Sequence, residues 1–164
     1  MTKYVLRFCI FMFSIAAFAQ EAGEKEKLRI QEIHQALSEK ENKAFFAITN
    51  FDAPTEYWFS TDLSAEIQSL RITYYQNPHH YEEHYITENG KLIYAFESQV
   101  FVPYNHELQQ MWNCAYYLND QKVFDYISLG HGKTEEDDWD PQEIVTQFQR
   151  RNAQKTMIKE VYQP

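Results

Sequence analysis

Two histidines and two glutamates in one short stretch are the residues of this chain whose types and spacing come closest to a metal site. The stretch His80-Tyr-Glu-Glu-His84 has the H-x-x-E-H order, which binds zinc when both histidines lie one turn apart on a helix. Asn77-Pro78 comes just before it and an alternating segment follows, so we predict a strand here. On a strand His80 and His84 are about 13 Å apart, four residues at roughly 3.3 Å each. That distance is too long for direct ligation of one ion.

A looser metal site remains an alternative hypothesis. His80, Glu82 and His84, together with His79, would make the chain a small metal-binding protein or a metal-dependent hydrolase. The acidic run from Thr134 to Asp140 offers carboxylates for Ca²⁺, but it lacks the D-x-D-x-D-G spacing of an EF-hand loop. We interpret both stretches as solvated surface in preference to ligand sites.

Recognisable catalytic motifs are missing from the sequence. It contains no G-x-S-x-G, no P-loop, no dinucleotide fingerprint and no C-x-x-C. Carboxylate pairs such as Glu82 opposite Glu97 have the residue types of a glycosidase, but a chain with 24 acids offers such pairs by chance. We therefore predict no catalytic residues and no cofactor. We favour a protein that is not an enzyme and leave that question open.

The first nineteen residues have the pattern of an export signal. Lys3 and Arg7 precede an apolar run from Phe8 to Phe18, and Ala17-Phe18-Ala19 fits a cleavage site. The run is too short to span a bilayer. We therefore predict a signal peptide at residues 1–19 and a single domain at residues 20–164. The expected location is periplasmic or extracellular, with no stable membrane anchor after cleavage.

The charge of the chain limits its partners. Its 164 residues carry a formal net charge of −9, and loss of the signal removes Lys3 and Arg7 and no acids, which gives −11. Nucleic acid and anionic membranes need a basic face, so we expect no nucleic acid partner. An unknown protein or small ligand remains as the expected partner, and a basic one suits the charge.

A β-hairpin pattern occurs twice and organises the middle of the chain. Tyr85–Phe96 and Tyr116–Ile127, thirty-one positions apart, each have an aromatic strand, a polar turn, a lysine, and a strand of β-branched and aromatic residues. Asn89-Gly90 is a strong signal for a two-residue type I′ turn. Asp120-Gln121 is a weaker version of the same turn.

Helical patterns lie on both sides of the hairpins. Glu21 to about Ala47 has apolar residues at helical spacing, and Asp140-Pro-Gln-Glu143 has the residues of a helix start. Thr61 to Leu70 fits a short helix before a strand that extends to Tyr75. The tail after Asn152 fits a continued helix or an edge strand. We predict an α+β domain with an N-terminal helix, a twisted antiparallel sheet of about five strands that includes the two hairpins, and a C-terminal helix, the helices lying on one side.

Strict alternation about each turn predicts which side chains share a face. One face of the hairpins, which in the second hairpin includes Ile127 and Leu129, has the better core. The other face has more aromatic and apolar character than a solvated face needs. The residues of this second face are His84, Ile86, Ile93, Tyr117, Phe124 and Tyr126. Either they contact a protein or ligand, or the C-terminal helix or a loop covers them as a second core layer. The first possibility makes the chain an exported, non-catalytic binding or accessory domain, which is our hypothesis from the sequence.

The hairpins also carry a resemblance. Residues 85–93 (Tyr-Ile-Thr-Glu-Asn-Gly-Lys-Leu-Ile) and 116–124 (Tyr-Tyr-Leu-Asn-Asp-Gln-Lys-Val-Phe) resemble the "YYF-x-NGKLI" hairpins of small uncharacterised exported bacterial domains. The resemblance covers about 50 residues and implies a bacterial exported protein with a twisted antiparallel sheet. It implies no catalytic residues, and the second copy departs from it with Gln121 in place of glycine.

Overall fold

The structure of the chain is a computed structural model that describes residues 21–41, 43–50, 53–76, 78–101 and 109–162. Helix α1 covers residues 21–38 of this part. Seven strands follow: β1 (Lys43–Asn50), β2 (Ala53–Asp62), β3 (Ile67–Gln76), β4 (His79–Glu88), β5 (Lys91–Phe101), β6 (Gln109–Asn119) and β7 (Lys122–Gly130). A short 3-10 helix (Lys133–Glu135) then leads to helix α2 (Glu143–Tyr162).

The strands form one antiparallel sheet in chain order, with β1 and β7 at the two edges of the described sheet. Helix α1 packs on one face and α2 on the opposite face, so the sheet is the middle of three layers. The α+β class, with an N-terminal helix, an antiparallel sheet and a C-terminal helix, is therefore confirmed. The sheet has seven strands where the sequence predicted about five. The prediction that both helices lie on one side is wrong.

Consecutive residues of the central strands explain why both faces need a helix. Tyr85 and Ile86 of β4 point to opposite faces, and both have 0% of their surface exposed. On one face the ring of Tyr85 lies 5.5 Å from the ring of Phe148 of α2. On the other, Ile86 packs in a cluster with Ile30 of α1. With only one covering helix, one of the two apolar clusters would be left in water.

We name each face by the helix that covers it. The buried cluster on the α1 face contains Ile30, Ile33, Leu37, Ile86, Ile93, Tyr94 and Tyr117. The larger cluster on the α2 face contains Trp58, Leu70, Ile72, Tyr85, Leu92, Ala95, Trp112, Cys114, Tyr116, Leu118, Ile144, Val145 and Phe148. Burial raises the pKa of the Cys114 thiol to about 11, so this residue packs as a small apolar side chain.

The first strand lies where the sequence predicted a helix. Helix α1 ends at residue 38 instead of near Ala47, and β1 pairs antiparallel with β2. The apolar residues of this segment fit either period, and pairing with a neighbouring strand decides between them.

The short helix that the ambiguous sequence from Thr61 to Leu70 allowed does not form. Strand β2 continues to Asp62, a turn of four residues follows, and β3 begins at Ile67. In this turn Ser64 Oγ accepts hydrogen bonds from the backbone N–H groups of Glu66 (3.2 Å) and Ile67 (3.1 Å). Such a local bond from side chain to backbone stabilises a turn against a helix.

Both predicted hairpin turns are confirmed. Asn89 and Gly90 have φ values of 51° and 76°, and Asp120 and Gln121 have 46° and 65°. Positive φ at both central positions is the type I′ geometry, which the second turn adopts without glycine. Lys91 Nζ lies 2.8 Å from Asp120 Oδ1 and so links the two turns.

The two hairpins share an irregularity that simple alternation does not predict. In the pairing of β4 with β5, Ile93 is an extra residue with no partner opposite it. In the pairing of β6 with β7, thirty-one positions later, Phe124 is the extra residue. A bulge of this kind shifts the rest of its strand by one residue and reverses which side chains face which side. The repeat seen in the sequence is therefore a repeat in structure, including its bulge.

The start of α2 is fixed to the second hairpin. Asp140 Oδ1 accepts a hydrogen bond from the backbone N–H of Gln142 (2.9 Å), as expected for a residue that caps a helix start. The Gln142 side chain donates to the carbonyl of Gln121 (2.7 Å) and accepts from the N–H of Val123 (3.2 Å). Beyond Asn152 the helix continues, which decides between the two alternatives for the tail.

A buried ion pair holds the middle of α2 to the sheet. Arg151 donates two hydrogen bonds to the carboxylate of Glu83, at 2.8 and 2.6 Å, and Tyr85 donates a third at 2.8 Å. The guanidinium also lies over the rings of Trp58 and Tyr74, 5.7 and 5.6 Å from their centroids. Only 5% of the Glu83 side chain and 15% of the Arg151 side chain are exposed.

Replacement of Arg151 by alanine should destabilise the fold strongly. Arg151→Ala leaves the Glu83 carboxylate buried without its cation, so we expect the free energy of unfolding in urea to fall by about 3–5 kcal/mol. Arg150→Ala, at the exposed neighbouring position, is the matched control and should change it by less than about 0.5 kcal/mol. Equal losses in the two variants would contradict the anchoring role of the pair.

Candidate functional site

Four of the six residues predicted for a binding face are buried. His84, Ile86, Ile93 and Tyr117 are 4%, 0%, 7% and 4% exposed. They lie on the α1 face, where the three isoleucine and leucine side chains of α1 cover the cluster. The cover is the N-terminal helix, whereas the sequence raised the C-terminal helix or a loop.

The other two residues, Phe124 and Tyr126, are exposed but lie on opposite faces. Phe124 is 39% exposed, and its ring is 6.5 Å from that of Tyr117 on the α1 face. Tyr126 is 45% exposed, and its ring makes a T-shaped contact with the ring of Trp139 on the α2 face, with 5.0 Å between the ring centroids. The bulge at Phe124 separates them, because it shifts Tyr126 to the other side of β7. The six residues therefore do not form one surface.

Strand β7 exposes a set of large apolar side chains that the sequence reasoning did not bring together. In the described part of the chain β7 pairs with β6 alone, so it is an edge strand. The exposed side chains, which lie on both faces of the strand, are Phe124 (39%), Tyr126 (45%), Ile127 (41%) and Leu129 (61%), and we call this edge with its side chains the β7 surface. The sequence placed Ile127 and Leu129 in the core. The position of β7 as the last strand before the acidic loop could have indicated an edge strand and so corrected this prediction.

A cleft of about 600 Å³ adjoins the β7 surface. It lies between the first turns of α1 and the turn end of β6 and β7, and Phe124 forms part of its lining. Its charged lining includes Glu24, Glu26, Lys27 and Asp125. Lys27 Nζ is 2.5 Å from Asp125 Oδ2, which ties α1 to β7 beside the cleft. The cleft is acidic overall, since three carboxylates outnumber one ammonium.

The histidine stretch is a strand, as the sequence predicted, and Glu82 and His84 contact different residues. His80, Glu82 and His84 occupy alternate positions of β4. The Glu82 carboxylate lies 3.2 Å from Arg71 Nε, and the His84 ring lies 5.4 Å from the ring of His34 of α1. Nowhere in the described residues do three His, Cys, Asp or Glu side chains gather in an arrangement that could hold a metal ion.

Burial lowers the pKa of two histidines on the α1 face, His34 and His84. Burial, then the Arg71 guanidinium and His34, lower the pKa of His84 to about 3. Burial and the same guanidinium also lower the pKa of His34, while Glu82 opposes the shift. The rings of His34 and Tyr94 are 4.9 Å apart, so an uncharged His34 packs as part of the contact between α1 and the sheet.

The carboxylate pair in the sheet differs by one residue from the pair considered in the sequence. Glu97 lies opposite Glu83, and Glu82 lies opposite Ser98. Glu83 and Glu97 are 4% and 7% exposed. Both point to the α2 face, where Arg151 bonds the first and Gln147 Nε2 donates to the second at 2.9 Å.

No family model, no curated protein and no solved structure matched the chain. Among the described residues, no helix combines the length and the apolar character needed to cross a membrane.

The lowered pKa of His84 predicts a loss of stability in acid. The unfolded chain protonates His84 near pH 6.5, whereas the folded chain does so only near pH 3. Stability from this group is therefore complete above about pH 6.5 and falls as the pH drops through this window, by up to about 1.4 kcal/mol per pH unit. His84→Leu should show a shallower slope of unfolding free energy between about pH 7 and about pH 5. His131→Leu, which changes an exposed histidine, should keep the wild-type slope; equal slopes in all three proteins would contradict the assignment to His84.

Proposed function

We propose that this chain is an exported binding domain that holds an extended segment of a partner protein along β7. The observation that carries the proposal is the β7 surface, where four large apolar side chains are exposed on an edge strand of the described sheet. Export is supported by the pattern of residues 1–19. Binding in preference to catalysis is supported by the apolar character of the exposed set.

Backbone hydrogen bonds would supply much of the affinity. An edge strand has a row of N–H and C=O groups that point away from its sheet and can pair with an added strand. Proteins often protect such edges with charges or proline. In β7 the charges are Lys122, at its first position, and Asp125, which is paired with Lys27. The bulge at Phe124 lies outside the segment Tyr126–Gly130, which carries neither a charge nor a proline, so this segment is the part of β7 where an added strand would pair.

Side chains beside the strand favour a partner segment with both apolar and basic residues. The exposed apolar groups of β7 would cover alternate apolar side chains of the segment. Next to Phe124, the acidic cleft would receive a basic side chain, and its exposed Glu24 is a carboxylate that such a group could reach. The formal net charge, −9 for the whole chain and −11 without Lys3 and Arg7, supports the same choice, because it steers basic partners toward the chain and like-charged ones away.

The predicted binding residues take two roles in this proposal. Phe124 and Tyr126 contact the partner, one on each side of β7. Tyr117 packs beside Phe124, and two side chains of α1 hold it in place. Gln31 Nε2 donates a hydrogen bond to the Tyr117 hydroxyl (3.2 Å), and Lys27 Nζ lies 5.1 Å from the centre of the Tyr117 ring. Tyr117, a buried member of the set, therefore supports the exposed Phe124.

A charge on the β7 surface should weaken binding without unfolding the protein. Residues 20–164 would first capture partners from extracts of the native host, and each captured protein would be purified and titrated against the domain by calorimetry. Leu129→Lys should weaken the affinity at least tenfold, a change typical of loss of a packed interface side chain. Leu28→Lys is the matched control, since Leu28 is 57% exposed and Leu129 is 61% exposed.

Hydrogen exchange would then locate the contact. The partner should slow amide exchange in β7 and leave exchange in β1 unchanged. A partner that binds with equal affinity to both variants, or one that protects other segments, would overturn the proposal. A second copy of the chain is the other possible occupant of this edge, and sedimentation of the free domain would detect it as a dimer. A dimer that Leu129→Lys abolishes would also overturn the proposal.

A further inference from the structure

Besides the cleft next to the β7 surface, the structure has a separate cavity on the α2 face. It has a volume of about 240 Å³ and lies between α2, the 3-10 helix and the sheet. Glu83 and Glu97 line it from neighbouring strands, directly opposite each other. The stacked rings of Tyr74 and Tyr81, 5.0 Å apart, and the ring of Trp112 line it as well. The cavity thus combines buried carboxylates with aromatic faces.

Each of these carboxylates already binds a cation that also lies over an aromatic ring. Arg151 bonds Glu83 and lies over Tyr74. Lys133 Nζ lies 2.5 Å from Glu97 Oε2 and 5.6 Å from the ring centre of Trp112. A ring face and a carboxylate both attract a cation and favour it over a neutral or anionic group. The two side-chain cations that already lie there indicate that the cavity accepts positively charged groups.

The two cations are held with different strength. Arg151 lies in the middle of α2, makes two hydrogen bonds to its carboxylate, and is 15% exposed. Lys133 lies on a three-residue 3-10 helix and is 31% exposed. Without Lys133, Glu97 would still accept hydrogen bonds from Tyr116 (2.9 Å) and Gln147 (2.9 Å), so its carboxylate would keep its position. The lysine is the cation that another ammonium group can replace.

The backbone around Lys133 is fixed, so only its side chain has to move. The indole N–H of Trp112 donates to Ser128 Oγ (3.1 Å) and to Thr134 Oγ1 (3.0 Å). Gly132 lies so close to the indole that a Cβ atom there would be 2.4 Å from Trp112 Cγ. These contacts hold the loop on Trp112 whether or not the Lys133 side chain occupies the site.

We propose that this cavity binds a small compound with a primary ammonium group. The ammonium takes the place of Lys133 Nζ between Glu97 and Trp112, and the apolar or aromatic remainder lies against Tyr74 and Tyr81. A volume of about 240 Å³ suits a small molecule, since sites for drug-sized ligands measure roughly 300–1,000 Å³. The tethered lysine competes with the ligand at high effective concentration, so the wild-type protein binds such a compound weakly.

The test uses n-butylammonium chloride as the probe and the indole N–H signals of the protein as the readout. The chain has three tryptophans, so the Trp112 signal is assigned by one substitution at each of the other two. In wild-type protein we expect a weak, saturable shift of the Trp112 signal. In Lys133→Ala we expect binding about tenfold tighter, because the competing ammonium is gone.

Further variants and probes separate this proposal from a non-specific effect. Lys122→Ala removes an exposed lysine elsewhere and should bind like wild type. Glu97→Gln in the Lys133→Ala background should abolish the shift, and n-butanol should not reproduce it. Equal affinity of wild type and Lys133→Ala would overturn the proposal, and so would an equal effect of butanol. The ratio of these two affinities decides the matter even if Glu97→Gln does not fold.

Discussion

The central strands of the sheet are apolar on both faces, and most of the architecture follows from the need to cover them. Tyr85 and Ile86 are neighbours in the chain and are both fully buried, which is possible only if a layer lies on each side of β4. Helix α1 provides one layer and α2 the other. The sheet is a meander, so every strand lies next to its neighbours in sequence, and the helices at the two ends of the chain are free to take opposite faces.

The two covering layers differ in chemistry. On the α1 face the buried polar groups include the neutral His84, whereas on the α2 face they include the carboxylates of Glu83 and Glu97. A buried ion pair adds little net stability over an apolar pair, but it penalises any packing that separates its partners. The contact of Arg151 with Glu83 therefore fixes the position of α2 along the sheet more than it strengthens the fold. The same low-exposure carboxylates make the α2 face the better place for a polar ligand.

The parts of the fold that depend on local chemistry could be predicted from the sequence. Asn89-Gly90 specifies a turn by the positive φ values that it tolerates, Asp120-Gln121 lies at the equivalent place in the repeated hairpin, and Asp140 caps a nearby backbone N–H. Strand β1 could not be predicted, because its apolar spacing also fits a helix and only its pairing with β2 decides. The bulges could not be predicted either, since a bulge has no local residue signature here. For the candidate site, strict alternation therefore identified the aromatic residues of β7 but placed Tyr126 on the wrong face of the sheet.

The duplicated hairpin shows that position in the sheet, and not local sequence, determines what a residue does. The bulge residues Ile93 and Phe124 are equivalent, yet the first is 7% exposed and the second 39%. Two residues after each bulge, Ala95 is fully buried and Tyr126 is 45% exposed. The first hairpin has a strand on each side, whereas β7 of the second has one on a single side in the described sheet. The copy of the hairpin at the edge is thus less constrained by neighbouring strands than the interior copy. Its large apolar side chains can stay exposed and are available for contacts outside the fold.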